Sequence, residues 1–150
     1  MPPSVNESLA SVRGRFIKTN VARVFERRVL HYFNTLAEQQ KRAVGDFKNA
    51  LFKQRPKDRK ILFEAKFYFQ ESDLYRQTKG KDAEKGEPKR KDTSNRIKPL
   101  EDRISENINI DDKYFFFVWV SKHHIDSDQS LIAFPDGYCS VRLSIIPTTE

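Results

Sequence analysis

Disulfides and thiol-based metal sites are both excluded by the cysteine count. Cys139 is the lone cysteine among the 150 residues, so it has no internal partner and cannot build a Cys-based zinc site. At a strand position it reads as a small apolar residue rather than a catalytic thiol. Long apolar runs are also missing. The longest, Tyr114 to Val120, falls far short of the roughly 20 residues that a membrane-spanning helix needs. The first ten residues lack the apolar core of a secretion signal. No internal repeat is visible. A soluble, cytoplasmic chain with no membrane partner is the expectation.

Charge and aromatic rings are what the chain has in quantity. Charged residues make up 33% and hydrophobic ones 37%, with twelve Phe, five Tyr and one Trp supplying much of the apolar area. The formal net charge of +7 favours an anionic partner such as nucleic acid. The length suits one domain with a real core, spanning 1–150.

Periodicity supplies the elements. Residues 1–17 read as an extended leading segment, since Pro2 and Pro3 oppose helix. From about Thr19 apolar residues recur at three- and four-residue steps (Val21, Val24, Phe25, Val29, Tyr32, Phe33, Leu36), which predicts a long helix. Gly45 is placed at its end, with Asp46 to Phe52 as a short continuation. Arg23, Arg27 and Arg28 read as a solvated face with some reach to phosphate. Arg55 to Lys60 is a turn. Strict alternation from Ile61 to Gln70 predicts a strand with one buried face. Residues 75–91 lose apolar character: between Arg76 and Lys91 seven residues are basic and three acidic. This reads as a flexible basic loop, either a solvated insertion or a DNA contact through Lys89, Arg90 and Lys91. Tyr114 to Val120 is apolar on both faces, so it should be a central strand or lie at a subunit interface. His123 and His124 point to opposite sides of an extended segment, which argues against a shared ion. Tyr138 to Ile146 is a last strand, with Cys139, Val141, Leu143 and Ile145 on one face.

The chemistry concentrates in Lys91 to Asp112. On a helical wheel of about 100° per residue, Ile97, Leu100, Ile104 and Ile108 share one side, and Asn95, Lys98 and Asp102 the other. Asp92 precedes this helix and Asp111-Asp112 follow it. Ser94 is the expected N-cap, and Pro99 predicts an irregular start or a small kink. Carboxylates gathered beside an ammonium suit a hard divalent cation and an anionic substrate.

At these residues the chain resembles the RusA family of Holliday junction resolvases. Asp92, Asn95, Lys98 and Asp102 match the core of its D-x-D-N-x-x-K-x-x-x-D pattern, and Asp111-Asp112 arrive where a D-D pair opens a strand. Pro2-Pro3-Ser4-Val5-Asn6 is similar to the family's P-P-S-x-N segment, and Arg15, Lys18 and Thr19 follow in the basic stretch before its first helix. Two departures stand out. Ser94 replaces the second aspartate with a weaker, neutral ligand, and Met1 alone precedes Pro2 where the family has a strand.

The resemblance implies an α/β chain of the α+β type: a small mixed sheet packed with a long N-terminal helix and the motif helix. It also implies a Mg²⁺-dependent endonuclease, with Mn²⁺ as substitute, that cuts four-way DNA junctions as a homodimer without a small-molecule cofactor. Asp92, Lys98 and Asp112 would be catalytic. Asp92, Asp111, Asp112 and Asp102 would hold metal, Ser94 and Asn95 would support them, and Arg15, Lys18, Lys89, Arg90 and Lys91 would contact DNA. Two alternatives stay open: a non-catalytic junction-binding protein of the same fold, and a nuclease for flaps, forks or RNA.

Overall fold

A computed structural model describes residues 1–2, 9–12, 15–18, 20–81, 84–88, 93–125 and 137–148. For residues 9–12 and 15–18 the description extends to the backbone alone. It is an α+β chain. Strands β1 (Leu9–Val12) and β2 (Arg15–Lys18) form an antiparallel pair. Helices α1 (Asn20–Asn34) and α2 (Glu38–Lys53) follow. Next come strand β3 (Ile61–Phe69), a single turn α3 (Glu71–Leu74), the motif helix α4 (Ser94–Ile108), and strands β4 (Phe115–His124) and β5 (Tyr138–Ile145).

The main sheet has three strands in the order β4-β3-β5, with β4 parallel and β5 antiparallel to β3. Its shape follows from the alternation in β3. Ile61, Phe63, Ala65, Phe67 and Phe69 are all buried, and they form one cluster with Leu51 of α2 and Leu100, Ile104 and Ile108 of α4. Cys139, Val141, Leu143 and Ile145 of β5 pack against the same cluster, as their spacing predicts. The other side of the sheet carries Leu62, Glu64, Lys66 and Tyr68 of β3 with their registered neighbours. No described helix packs there.

Four expectations change. The long helix is broken: α1 stops at Asn34, where Thr35 Oγ1 donates to the His31 and Tyr32 carbonyls at 2.8 and 3.2 Å. A new helix then starts, with the Ala37 N–H bonded to Gln40 Oε1 at 3.0 Å. Gly45 therefore lies inside α2 rather than at an end. Val21 and Tyr32, two of the apolar positions that mark the helical period, are 56% and 60% exposed, because α1 reaches the rest of the fold chiefly through α4. Among the described residues the apolar run of β4 lies at an edge of the sheet rather than its centre, since β3 takes β5 on its other side, which leaves the subunit-interface alternative. The fourth change concerns the helix start. Thr93, not Ser94, holds the N-cap position of α4, and it makes no side-chain cap bond.

The basic loop is tied across its base by a bridge between Tyr75 and Pro88 and by bonds linking Arg76 to Gly86 and Glu87. Leu131 to Phe134, an apolar stretch whose sequence suggests a short turn, lie outside the described residues. No described helix is long and apolar enough to cross a membrane.

Two glycines should respond oppositely to alanine. Nothing lies within 4 Å of a Cβ added at Gly45, so Gly45→Ala should stabilise by about 0.5–1 kcal/mol, as helix interiors do. Gly137 has φ +81° and its Cβ would collide with the Tyr68 carbonyl oxygen. Gly137→Ala should therefore destabilise by roughly 1–3 kcal/mol. Thermal unfolding of both variants checks the pair.

Candidate functional site

Helix α4 is amphipathic because its apolar residues recur on one side, and that side seats on the sheet. Leu100, Ile104 and Ile108 are buried there. Pro99 lies inside the helix and gives no N–H to the Asn95 carbonyl one turn back. At the far end Asn109 takes the left-handed conformation, φ 55° and ψ 47°, which Asn tolerates better than most residues. The Ile110 N–H then bonds the Ser105 carbonyl at 3.2 Å, and Ser105 Oγ donates to the Ile110 carbonyl at 2.5 Å. Buried Ile110 anchors this reversal. The chain is thereby folded back so that residues just beyond the helix lie alongside its polar face.

Lys98 is where the two segments meet. Its Nζ donates to Asp112 Oδ2 at 2.6 Å and lies 2.8 Å from Asp102 Oδ1. The Asp102 contact is the ordinary one-turn helix pair. The Asp112 contact spans fourteen residues and exists only because of the reversal. Both carboxylates remain 37% exposed and Lys98 56%, so the cluster opens to solvent. The Asp102 hydrogen bond and then the Asp112 bond hold the Lys98 ammonium well above its ordinary pKa, against a smaller opposing effect of burial.

Asp111 is turned to a different partner. It caps the short 3-10 turn Asp112–Tyr114 by accepting from the Lys113 N–H at 3.0 Å, and it pairs with Lys113 Nζ at 3.1 Å. Those two bonds, the backbone one first, lower its pKa. The expected set is thus brought together in part: Lys98, Asp102 and Asp112 converge, and Asp111 engages Lys113. Asn95 lies half-buried and Ser94 exposed in the first turn of α4. Asp92, Lys89, Arg90 and Lys91 lie outside the described residues, as do the side chains of Arg15 and Lys18. Among the described residues, no three His, Cys, Asp or Glu side chains are grouped to hold a metal ion.

Two site residues escaped the sequence reading. Glu101 is half-buried, and its pKa is raised mainly by burial. Lys98 opposes that shift, and repulsion from Asp112 and Asp102 adds to it. On the helical wheel it falls between the greasy and polar sides, so spacing alone gave no signal. Arg96 Nη1 donates to the Pro2 carbonyl at 2.7 Å. Buried Pro2 is thereby held against the start of α4, and the two ends of the motif-bearing sequence meet.

Neither the family models nor the curated proteins contain a match to this chain.

Glu101 gives a pH-dependent outcome. Its folded pKa is raised, so the folded state binds a proton more tightly than the unfolded state. The protonated form favours folding, and that advantage is lost as pH rises from the ordinary carboxyl value through the raised one. Glu101→Gln should therefore raise Tm at neutral pH, and the difference should vanish in acid. Calorimetric scans of both proteins across the acidic range check this.

Proposed function

We propose that this chain is a Mg²⁺-dependent endonuclease of the RusA type, acting on branched DNA. The observation that carries the reading is Lys98, held at 2.6 and 2.8 Å between Asp112 and Asp102 on an open surface. It supports the reading because phosphodiester hydrolysis needs a carboxylate-lined cation site and a positive group beside the phosphate. Mg²⁺ is commonly bound through one or two carboxylates plus water and substrate phosphate. Two solvent-facing carboxylates meet that requirement, and Asp92 follows from the motif.

In this reading Asp112 and Asp92 hold the ion, with Asp102 and Asp111 completing its surroundings. Bound Mg²⁺ would make a water more acidic and offset charge on the phosphate. Lys98 is the mobile partner. With a cation on its carboxylates, its ammonium would be free to reach the scissile phosphate or the leaving oxygen. Asn95 and Ser94 steady the first turn and a bound water. Arg15, Lys18, Lys89, Arg90 and Lys91 contact the DNA backbone, which positions the substrate without reading its sequence.

A second reading rests on the same observation. Lys98 already satisfies both carboxylates, so the triad could serve only to clasp α4 to the start of β4 in a junction-binding protein without activity.

Cleavage of a synthetic four-way junction separates the two. In Mg²⁺, Asp112→Asn and Asp92→Asn should abolish cutting and leave junction binding intact, and EDTA should stop the native protein. Unchanged cutting in both variants would remove these residues from the chemistry.

A homodimer belongs to the same proposal. No described strand lies beyond β4, and pairing it with the β4 of a second copy across a two-fold axis would cover the open edge. Such pairing would deliver two sites for the two cuts that a junction needs. Light scattering should give twice the 17.6 kDa chain mass; an active monomer would contradict this assembly.

A further inference from the structure

The side of the main sheet that faces away from the helices carries a pattern the acidic cluster does not use. Strand register fixes it. One row across the sheet is Tyr138, Tyr68 and His123. Tyr68 stacks on Tyr138 at 4.5 Å with the rings 10° apart, and on His123 at 5.1 Å and 27°. Ser121 Oγ bonds His123 Nε2 at 2.8 Å and steadies that end of the stack. Gly137, whose backbone passes tight against the Tyr68 carbonyl, is what lets β5 begin close enough for the rings to meet. Two rows further along lie Arg142, Glu64 and Trp119, and Phe117 is in the next. Lys66 sits between the two aromatic zones. Rows repeat at roughly 6.6 Å, two residues of strand.

Trp119 and Phe117 are 62% and 56% exposed. Rings exposed on a sheet, with cations interleaved among them, recognise unpaired bases. Each base offers a face to stack on, and the phosphates between bases are met by the cations. From this we infer that the open sheet face is a platform for single-stranded nucleic acid, with bases stacking on Trp119 and Phe117 and extending the Tyr138–Tyr68–His123 column. Lys66 and Arg142 take the phosphates.

A second copy of the chain fits this face less well. Covering it would desolvate Glu64, Lys66 and Arg142 near the centre of the contact, where protein interfaces are depleted of charge. Edge pairing through β4 leaves the face open and makes it continuous between two copies. The platform goes beyond the nuclease reading, because base stacking needs neither the carboxylates nor a metal.

The test is a fluorescence titration of the full chain with oligothymidine in EDTA, where no cutting can occur. Trp119 is the only tryptophan, so its emission reports this face directly. Emission should fall on titration with the single strand and stay level with a duplex of the same length. Trp119→Ala and Phe117→Ala should each weaken oligothymidine binding about tenfold without changing its salt dependence, and Trp119→Phe should restore it. Lys66→Ala with Arg142→Ala should instead flatten the log–log salt slope by about 0.7 for each phosphate that the variant no longer neutralises. Unchanged Trp119 emission at saturation would overturn the platform, as would ring variants that bind like the native protein. Conversion of a dimer to a monomer by Trp119→Ala would also overturn it and give the face to a second copy. A native protein that binds oligothymidine but never cuts a junction in Mg²⁺ would reject the nuclease reading alone.

Discussion

The one-sidedness of β3 organises everything else. Every second residue from Ile61 to Phe69 is buried, and that row can be satisfied only by helices arriving from a single side. Helices α2 and α4 supply the cover through Leu51, Leu100, Ile104 and Ile108. Once α4 is seated by its apolar stripe, its opposite side must face water, and that side is where Lys98 and Asp102 stand. The polar cluster is thus positioned by the hydrophobic effect acting on residues that take no part in it. The same constraint leaves the far side of the sheet without a helix among the described residues.

The reversal after α4 converts a helix face into a cluster. Asn109 in the left-handed conformation and buried Ile110 turn the chain within a few residues, and Asp112 comes to lie 2.6 Å from Lys98. An exposed ion pair of this kind contributes little to stability. Its consequence lies elsewhere: two carboxylates and an ammonium occupy one open surface patch. The carboxylates draw the Lys98 charge and hold its ammonium on that patch. Glu101, half-buried beside them, adds repulsion that burial alone would not create.

Much of this was legible in the residue pattern. Alternation located β3 and β5 nearly to the residue, and three- and four-residue spacing separated the greasy and polar sides of α4. Those signals are local, so one sequence suffices to read them. The break at Thr35 was not read, because it depends on a hydroxyl bonding back to two carbonyls while apolar spacing runs straight through it. Gly45 lies inside α2 for the related reason that one glycine weakens a helix by only about 1 kcal/mol and need not end it. Ser94 looked like a cap because its residue type is a good one, yet the helix begins one residue earlier than that role requires.

By itself the sequence determined which residues could be apolar partners, which helix face would be polar, and that an ammonium and several carboxylates would lie near one helix. These depend on spacing along one element. Only the tertiary structure decided that Asp112, and not Asp111, meets Lys98, that Glu101 joins the cluster, and that Arg96 holds Pro2. Only the tertiary structure put the apolar strand β4 at an edge of the described sheet, because strand order is set by which neighbours β3 accepts. The stacked rings of Tyr138, Tyr68 and His123 come from three separate strands, and no local pattern along the chain encodes the register that aligns them.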